Sequence, residues 1–377
     1  MQNETEILII GGGLAGLTAA LHLQSAGLHV TLIEKNSFPN HKVCGEYVSN
    51  EVLPYLDWLG ISFGHLKPTL ITNLQFSSLS GKILEADLPL GGFGLSRYAM
   101  DDYLYQQCLN RGVSVLCDVV SQIDFNGQQF NVFTSSGRQF VAKQIMGAFG
   151  KRSTIDVKLR RNFVQNKSPY LAVKAHYKGH FAENVVALHN FSGGYCGVSK
   201  VEGKKLNICY LANYSSFKQF KNIETYQQEV LYKNKSLKNI FEHAEMIYDA
   251  PLTISQLYFE AKEPIFKNIL MIGDTAALIH PLCGNGMAMA IHSAKIASEL
   301  VIAFLKTKTI SRDKMEKQYT VKWKELFQRR IFAGKVLSAV LRNPITQKIA
   351  LSTMARIPGI LKQSIRMTHG KSLPIPE

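Results

Sequence analysis

Two glycine-rich segments far apart in the chain hold the residues best suited to chemistry. The first, residues 7–16, reads Ile-Leu-Ile-Ile-Gly-Gly-Gly-Leu-Ala-Gly and contains Gly11, Gly13, Leu14, Ala15 and Gly16. Glu34 and Lys35 follow about twenty residues on. Gly11 permits a tight turn, Gly13 lets the backbone approach a diphosphate, and Gly16 allows close packing of a helix on a strand. The free N–H groups at the start of that helix attract phosphate. Glu34, at the end of the next strand, is placed to accept hydrogen bonds from a ribose. A glycine-rich strand-to-helix turn without a ligand is the plainer alternative. With strand, helix and acidic residue all in order, the pattern points to a dinucleotide.

The second segment, residues 269–277, reads Ile-Leu-Met-Ile-Gly-Asp-Thr-Ala-Ala, and Pro281, Gly284, Asn285, Gly286 and Met287 follow. Gly273 and Asp274 end a buried strand, where an isolated carboxylate is costly unless it finds a polar partner. Taken alone, it reads as a carboxylate capping its own turn. After the first segment, ribitol hydroxyls are the natural partner. The residues from Pro281 to Met287 then open a long helix whose N-terminus can stabilise negative charge on the pyrimidine edge of a reduced flavin. Together the two segments read as two ends of one FAD.

Composition sets the outer limits. The chain has 377 residues, 46% hydrophobic and 19% charged, which suits a large core or two domains. Six cysteines, at 44, 108, 117, 196, 209 and 283, show neither a CxxC pair nor metal-ligand spacing. Reduced thiols, no metal and a cytoplasmic setting are expected. The first residues lack a basic signal-peptide start, and no apolar stretch reaches the roughly 18 residues needed to span a bilayer. The net charge of +15 is concentrated late: residues 306–371 hold sixteen Lys/Arg against Asp313, Glu316 and Glu325. That tail also carries apolar residues at helical spacing. It reads as a helical cap with a solvated basic face, or as a peripheral membrane contact. No nucleic-acid module accompanies the charge, so nucleic acid is not an expected partner.

These residues need a scaffold, and the patterning supplies one. Residues 5–10, 14–26 and 29–34 read as strand, helix and strand. A short helix is predicted at 50–58, and a hairpin at 69–77 and 82–88 with a turn at 91–94. A helix from the Ser96 cap to 109 follows, then short strands at 113–117, 119–125, 129–134 and 139–145. Between 155 and 262, strands at 170–177, 185–189, 195–201, 206–211 and 252–259 dominate, interrupted by one helix at 223–233. A long helix at 286–305 precedes tail helices punctuated by Pro344 and Pro358. The expected fold is α/β: a split Rossmann-like FAD-binding domain with a β-rich substrate domain and C-terminal helices. The FAD domain is expected from residues 1–68, 90–155 and 262–310, the substrate domain from 69–89 and 156–261, and the basic helical region from 311–377.

With those motifs, the chain resembles FAD-dependent oxidoreductases of the para-hydroxybenzoate hydroxylase fold, which includes group A monooxygenases, flavin-dependent halogenases and geranylgeranyl reductases. The resemblance implies that Gly11, Gly13, Gly16 and Glu34 serve the ADP half of FAD and Asp274 the ribitol. Arg97, in Ser-Arg-Tyr-Ala-Met-Asp, is similar to an arginine preceding a FAD-contacting helix in the reductase branch; a surface arginine is the alternative. Lys42-Val-Cys44-Gly45-Glu46 is similar to the Lys-x-Cys-Gly stretch of that branch, where the cysteine lies beside the flavin ring. Cys44 is therefore the catalytic candidate, as a proton donor or a pocket wall.

Two departures matter. Phe149 stands where many hydroxylases carry an Asp linked to NAD(P)H use, which counts against nicotinamide as the direct reductant, so the expected electron donor is NAD(P)H or another in its place. The reductases' Gly-Tyr-x-Trp-x-Phe-Pro stretch is Gly-Tyr-Cys-Gly-Val-Ser here, at 194–199, without Trp and Phe-Pro; Tyr195 remains as a substrate contact. With only Trp58 and Trp323, the halogenase element is absent. Phe163, Tyr170, Tyr177, Phe191 and Tyr195 are expected either to line an apolar pocket or to fill sheet core. Hydroxylation of a hydrophobic aromatic or polyketide-like substrate with reduced flavin and O2 is narrowly favoured. Reduction of a C=C bond, as in geranylgeranyl reductases, follows closely; a non-catalytic binding protein of related fold is a distant third. His41 and His280 read as packing or hydrogen-bonding residues. Oligomeric state stays open.

Overall fold

A computed structural model describes residues 3–220, 222–259 and 261–376. Its first sheet grows from the strand Asn3–Ile10, which pairs in parallel with Val30–Glu34 on one side and Gln139–Gly147 on the other. Ser114–Cys117 extends it at one edge and Ile269–Met271 on the other side, both in parallel, with Ile265–Phe266 antiparallel outside the latter. The chain thus returns to this sheet 120 residues after leaving it, which brings the second glycine segment beside the first. Ile7, Leu8, Ile9 and Leu32 are fully buried, as continuous apolar runs in a covered parallel sheet should be. The helices Arg97–Asn110 and Gly286–Leu305 flank Leu14–Ser25.

Gly286–Leu305 corrects one expectation. It is long and apolar enough to cross a bilayer, although no stretch was expected to come close. His292, Ser293 and Lys295 interrupt its apolar run, but all three are buried inside the fold with most of the helix.

The second sheet is mainly antiparallel and runs Ala244–Met246, Tyr170–Gly179, Leu206–Asn213, Gly194–Lys200, Val185–Phe191, Thr69–Ser77, Ile83–Gly94 and Tyr47–Ser49. The predicted hairpin forms, but its second strand continues through Gly91–Gly94, where a turn was expected. A Cβ at Gly94 would overlap the Lys200 carbonyl. These glycines permit close approach of backbones rather than reversal of the chain. The single helix expected at 223–233 is replaced by Tyr214–Lys218, Ile223–Glu229 and Lys235–Glu242. Asn213, Asn222 and Asn234 cap them in turn, each side chain accepting from backbone N–H groups. The strand expected at 252–259 stops at Ser255.

The tail forms Arg312–Arg342, Pro344–Arg356 and Pro358–Thr368, with breaks where the two prolines predicted them. These helices lie across the second sheet's open side and the end of the first.

Candidate active site

One cavity of about 800 Å³ runs between the two sheets. At one end it is walled by Gly11, Gly13, Leu14, Ala15, Glu34 and Lys35. Gly11 has φ +110, and a Cβ there would overlap the Ala148 carbonyl, so the tight turn demands glycine. Gly16 does not line the cavity. A Cβ at Gly16 would run into the Gly11 carbonyl, so its role is helix-on-turn packing. At Gly13 a Cβ would meet nothing closer than Arg97 Nη2 at 3.6 Å, leaving an open cradle before the first helix. The first N–H groups of that helix have no intrahelical partner. Glu34 accepts from the backbone N–H groups of Gly12 (2.6 Å) and Asn36 (3.1 Å) while its side chain still borders the cavity.

Arg97 and Lys42 border the middle of the cavity, and both are held by Asp101. Arg97 donates to Asp101 through Nε and Nη2, each at 2.8 Å, and Lys42 Nζ donates at 2.7 Å. Burial alone would raise the Asp101 pKa, but Arg97 and Lys42 bring it below the ordinary carboxylate value. Two cations on one buried acid leave net positive charge beside the glycine cradle. That suits a diphosphate.

Gly273, Asp274, Pro281, Gly284, Asn285, Gly286 and Met287 line the next stretch. Gly273 has φ +60, and its N–H donates to Ser293 Oγ at 2.8 Å. Lys262 Nζ donates to the Asp274 carbonyl at 2.9 Å and the Lys151 carbonyl at 2.8 Å, fixing the turn from below. Burial pushes the Lys262 pKa down to about 8. Among the described residues no donor is recorded on the Asp274 carboxylate, so its oxygens are open to ligand hydroxyls. Asn285 lines the cavity where its backbone opens the long helix; its Nδ2 donates to Glu51 Oε2 (3.3 Å) and the Thr368 carbonyl (3.0 Å), while its buried Oδ1 has no protein partner. Glu51 also accepts from Arg330 Nη1 (3.1 Å) and Gly370 N (2.6 Å), which straps the tail to this end of the site.

Cys44 and Gly45 face Met287 across the cavity. Cys44 Sγ lies 3.5 Å from Met287 Sδ and accepts the Glu46 N–H at 3.5 Å. The Cys44 carbonyl takes a hydrogen bond from Asn207 Nδ2 at 3.2 Å.

Beyond Cys44 the walls become apolar and mostly aliphatic, with Phe76 and Phe259 among them. Leu74, Leu84, Val186, Leu188 and Ile254 come from strands or their edges, and Leu337, Leu351, Leu361 and Ile365 from the tail helices. Tyr195 lines this chamber as expected. Phe163, Tyr170, Tyr177 and Phe191 do not. Tyr177 and Phe191 point to the opposite face of their sheet and fill the core against the Tyr214–Glu242 region. Phe163 and Tyr170 pack at the margins. His41 borders the cavity and is kept neutral, its pKa pushed down to about 4 by burial and then by Lys174 and His176. His280 lies outside the cavity wall. Burial, with Arg342 adding to it, lowers its pKa to about 3, and Ser338 and the Leu282 N–H occupy its two nitrogens.

Sequence reasoning missed a buried polar network behind Cys44. Glu46, fully buried with φ +54, accepts from the Arg97 N–H (2.8 Å), Lys174 Nζ (2.9 Å) and His176 Nε2 (2.6 Å). His176 Nδ1 then accepts from Tyr248 Oη (3.0 Å), whose oxygen lies 2.9 Å from His41 Nδ1. This assignment of ring protons is one that satisfies these partners. Burial opposes ionisation of Glu46, but His176 and Lys174 hold its pKa below the ordinary value. The one available signal was the pair Lys174 and His176, two polar residues on one face of an otherwise apolar strand.

The residues therefore fit FAD. The open glycine cradle would take the diphosphate, the paired cations would neutralise it, Asp274 would meet the ribitol, and the helix starting at Gly286 would approach the ring. Among the described residues no cluster suits a metal ion, and all six cysteines are free thiols.

Comparisons with known proteins agree. A family model described as FAD dependent oxidoreductase matches residues 6–45. A digeranylgeranylglycerophospholipid reductase of Methanosarcina mazei is 25% identical over 343 residues, covering 86% of this chain and 82% of that protein. Among solved structures, the flavin-dependent brominase Bmp2 has a TM-score of 0.81 at 17% identity, covering 97% of this chain and 93% of the other. A geranylgeranyl bacteriochlorophyll reductase-like protein of Thermoplasma acidophilum has a TM-score of 0.76 at 17% identity, covering 100% and 94%. With the cradle, the paired cations and the open Asp274 in one cavity, the chain is an FAD-dependent oxidoreductase on the fold that flavin halogenases, monooxygenases and geranylgeranyl reductase-like proteins share.

Proposed function

We propose that the enzyme hydroxylates the electron-rich head of a substrate carrying a long aliphatic tail. The carrying observation is the division of one cavity into a polar cofactor end and an aliphatic chamber. A tail of several methylenes gains about 0.8 kcal/mol for each one buried there. Tyr195 and Ser199 on the sheet wall are the polar groups available to an oxygenated head. The missing Trp and Phe-Pro of the reductase stretch support this reading. Within the expected hydrophobic, aromatic or polyketide-like class, the mostly aliphatic lining favours a substrate whose bulk is saturated or isoprenoid chain.

Bound FAD supplies a two-electron carrier. The chain positions it and closes the chamber. Arg97 and Lys42 hold the diphosphate, Asp274 the ribitol, and the N–H groups at Gly286 and Met287 stabilise charge at the ring edge. The aliphatic wall excludes water from the reacting atoms. NAD(P)H or another donor provides the electrons.

Reduction of a C=C bond is the second reading, and Cys44 favours it. A thiol bordering the cavity beside Met287 is suited to deliver the proton that must accompany hydride. One experiment separates the two. The FAD-loaded enzyme is reduced anaerobically and offered a long-chain alkylresorcinol or a geranylgeranyl lipid, with and without O2. Hydroxylation gives a product one oxygen atom heavier only with O2. A product two hydrogen atoms heavier without O2 overturns the first reading in favour of the second.

A further inference from the structure

The tail helices have two working faces. Their inner faces roof the chamber: Leu337 and Leu341 from Arg312–Arg342, Leu351 and Met354 from Pro344–Arg356, Leu361 and Ile365 from Pro358–Thr368. Their outer faces are apolar as well. Phe332 is 66% exposed, Ile345 71% and Ile349 61%, and Val336, Ile357 and Met367 are also exposed. On Pro344–Arg356 the division is clean. Gln347 and Leu351 point inward, while Ile345, Ile349 and Arg356 share the opposite stripe at helical spacing. Isolated exposed apolar residues need no explanation, but several on adjoining helices form a patch that does.

Charge says what that patch meets. Between residues 326 and 376 the chain carries nine Lys/Arg and neither Asp nor Glu. Lys348, Arg356, Lys362 and Arg366 are exposed among the apolar residues just named. Arg330 is turned inward to Glu51, while Arg342, itself exposed, donates to Tyr170 Oη. Bulky apolar residues ringed by cations match the headgroup region of an anionic bilayer, where the apolar groups enter the acyl boundary and the cations meet lipid phosphates. A second copy of the same patch would bring its cations against each other.

We propose that the outer face of the three tail helices docks on an anionic phospholipid bilayer, with the substrate chamber directly behind it. A lipid-like substrate then passes from the acyl layer between the tail helices into the chamber without crossing water. The passage depends on the long-chain reading of the substrate; the docking does not, and the test below reads docking alone.

The test is flotation of the full-length FAD-loaded protein with two kinds of vesicle, phosphatidylglycerol–phosphatidylethanolamine and pure phosphatidylcholine. Binding is expected to the first, weakening as salt rises, and far less to the second. Neutralising Lys348 and Lys362 as Lys348→Gln/Lys362→Gln should lower partitioning about fivefold per cation. Ile345→Glu/Ile349→Glu should abolish it, while FAD content and melting temperature stay unchanged, since both side chains face solvent. Hydrogen exchange in residues 344–368 should slow on anionic vesicles. Equal binding to both vesicle types, no binding to either, or loss of a dimer as the only effect of the isoleucine variants would each overturn the proposal.

Discussion

The Glu46 carboxylate lies 2.6 Å from His176 Nε2, although 130 residues separate them in sequence. Lys174 completes the pair at 2.9 Å, and the Arg97 N–H ties the same carboxylate to the cofactor end of the cavity. One buried acid therefore joins the Cys44 loop, the second sheet and the helix that carries Arg97.

Glu46→Gln removes that charge at nearly constant volume and leaves Lys174 without its buried partner. Breaking a buried pair from one side costs about 3 kcal/mol or more. Urea denaturation should show this loss, with turnover falling further than FAD affinity because the Cys44 loop is displaced. Stability within about 0.5 kcal/mol of the parent would show the network to be incidental.

Acid should destabilise the fold well above the usual carboxylate range. Burial pushes His22 and His189 down to about 4 and His280 and His292 to about 3, so these rings stay neutral when folded. The unfolded chain binds protons at these sites below the ordinary value of 6.5, and the folded chain does not. Stability is therefore lost as pH falls from 6.5 toward 4, by up to about 3 kcal/mol per ring. Glu46 and Asp101, whose pKa values are lowered, add to the loss at still lower pH. Melting temperature should be flat between about pH 7 and 8 and fall steeply below 6.5. A midpoint constant down to pH 5 would contradict the neutral assignment.

Gly13→Leu should fold and stay colourless. The backbone at Gly13 has φ −86, which any residue adopts, and its Cβ has room. The leucine side chain would occupy the cradle. FAD affinity should drop more than about a hundredfold, with the melting curve of the cofactor-free protein almost unchanged. Gly16→Val is the contrast: its Cβ would overlap the Gly11 carbonyl, so the protein itself should fail to fold. Equal FAD binding by Gly13→Leu would remove the diphosphate from this turn.

Cys44→Ala distinguishes a proton donor from a wall. If the thiol delivers a proton, turnover falls by roughly a hundredfold or more, with FAD content and KM retained. A rate within a few-fold of the parent assigns Cys44 to packing against Met287 and strengthens the hydroxylation reading.

The cofactor end was legible in the sequence because its signals are local. Gly11, Gly13, Gly16 and Glu34 sit within one strand–helix–strand unit, and Gly273 and Asp274 end a single short strand. The substrate end was not, because it is assembled by parity and by distant elements. Tyr177 is an odd number of residues from Ala172, which lines the chamber, so its ring falls on the far face. The residues replacing the expected aromatics come from tail helices whose apolar stripe gave no hint of what it would cover. Gly91–Gly94 misled for a related reason: glycine marks a close approach as readily as a turn, and only the Lys200 carbonyl decides between them. Asn285 reads as a cofactor contact in sequence; its Nδ2 is held by Glu51 and the Thr368 carbonyl, which leaves its Oδ1 as the one polar atom of that amide still to be matched.

The most direct test is calorimetric titration of the cofactor-free protein with FAD, alongside Asp274→Ala. The parent should bind one FAD per chain, and the variant should bind at least about tenfold more weakly, since the ribitol would lose the Asp274 carboxylate. No binding by a folded parent, or identical affinity in the two proteins, would contradict the placement of the flavin along this cavity.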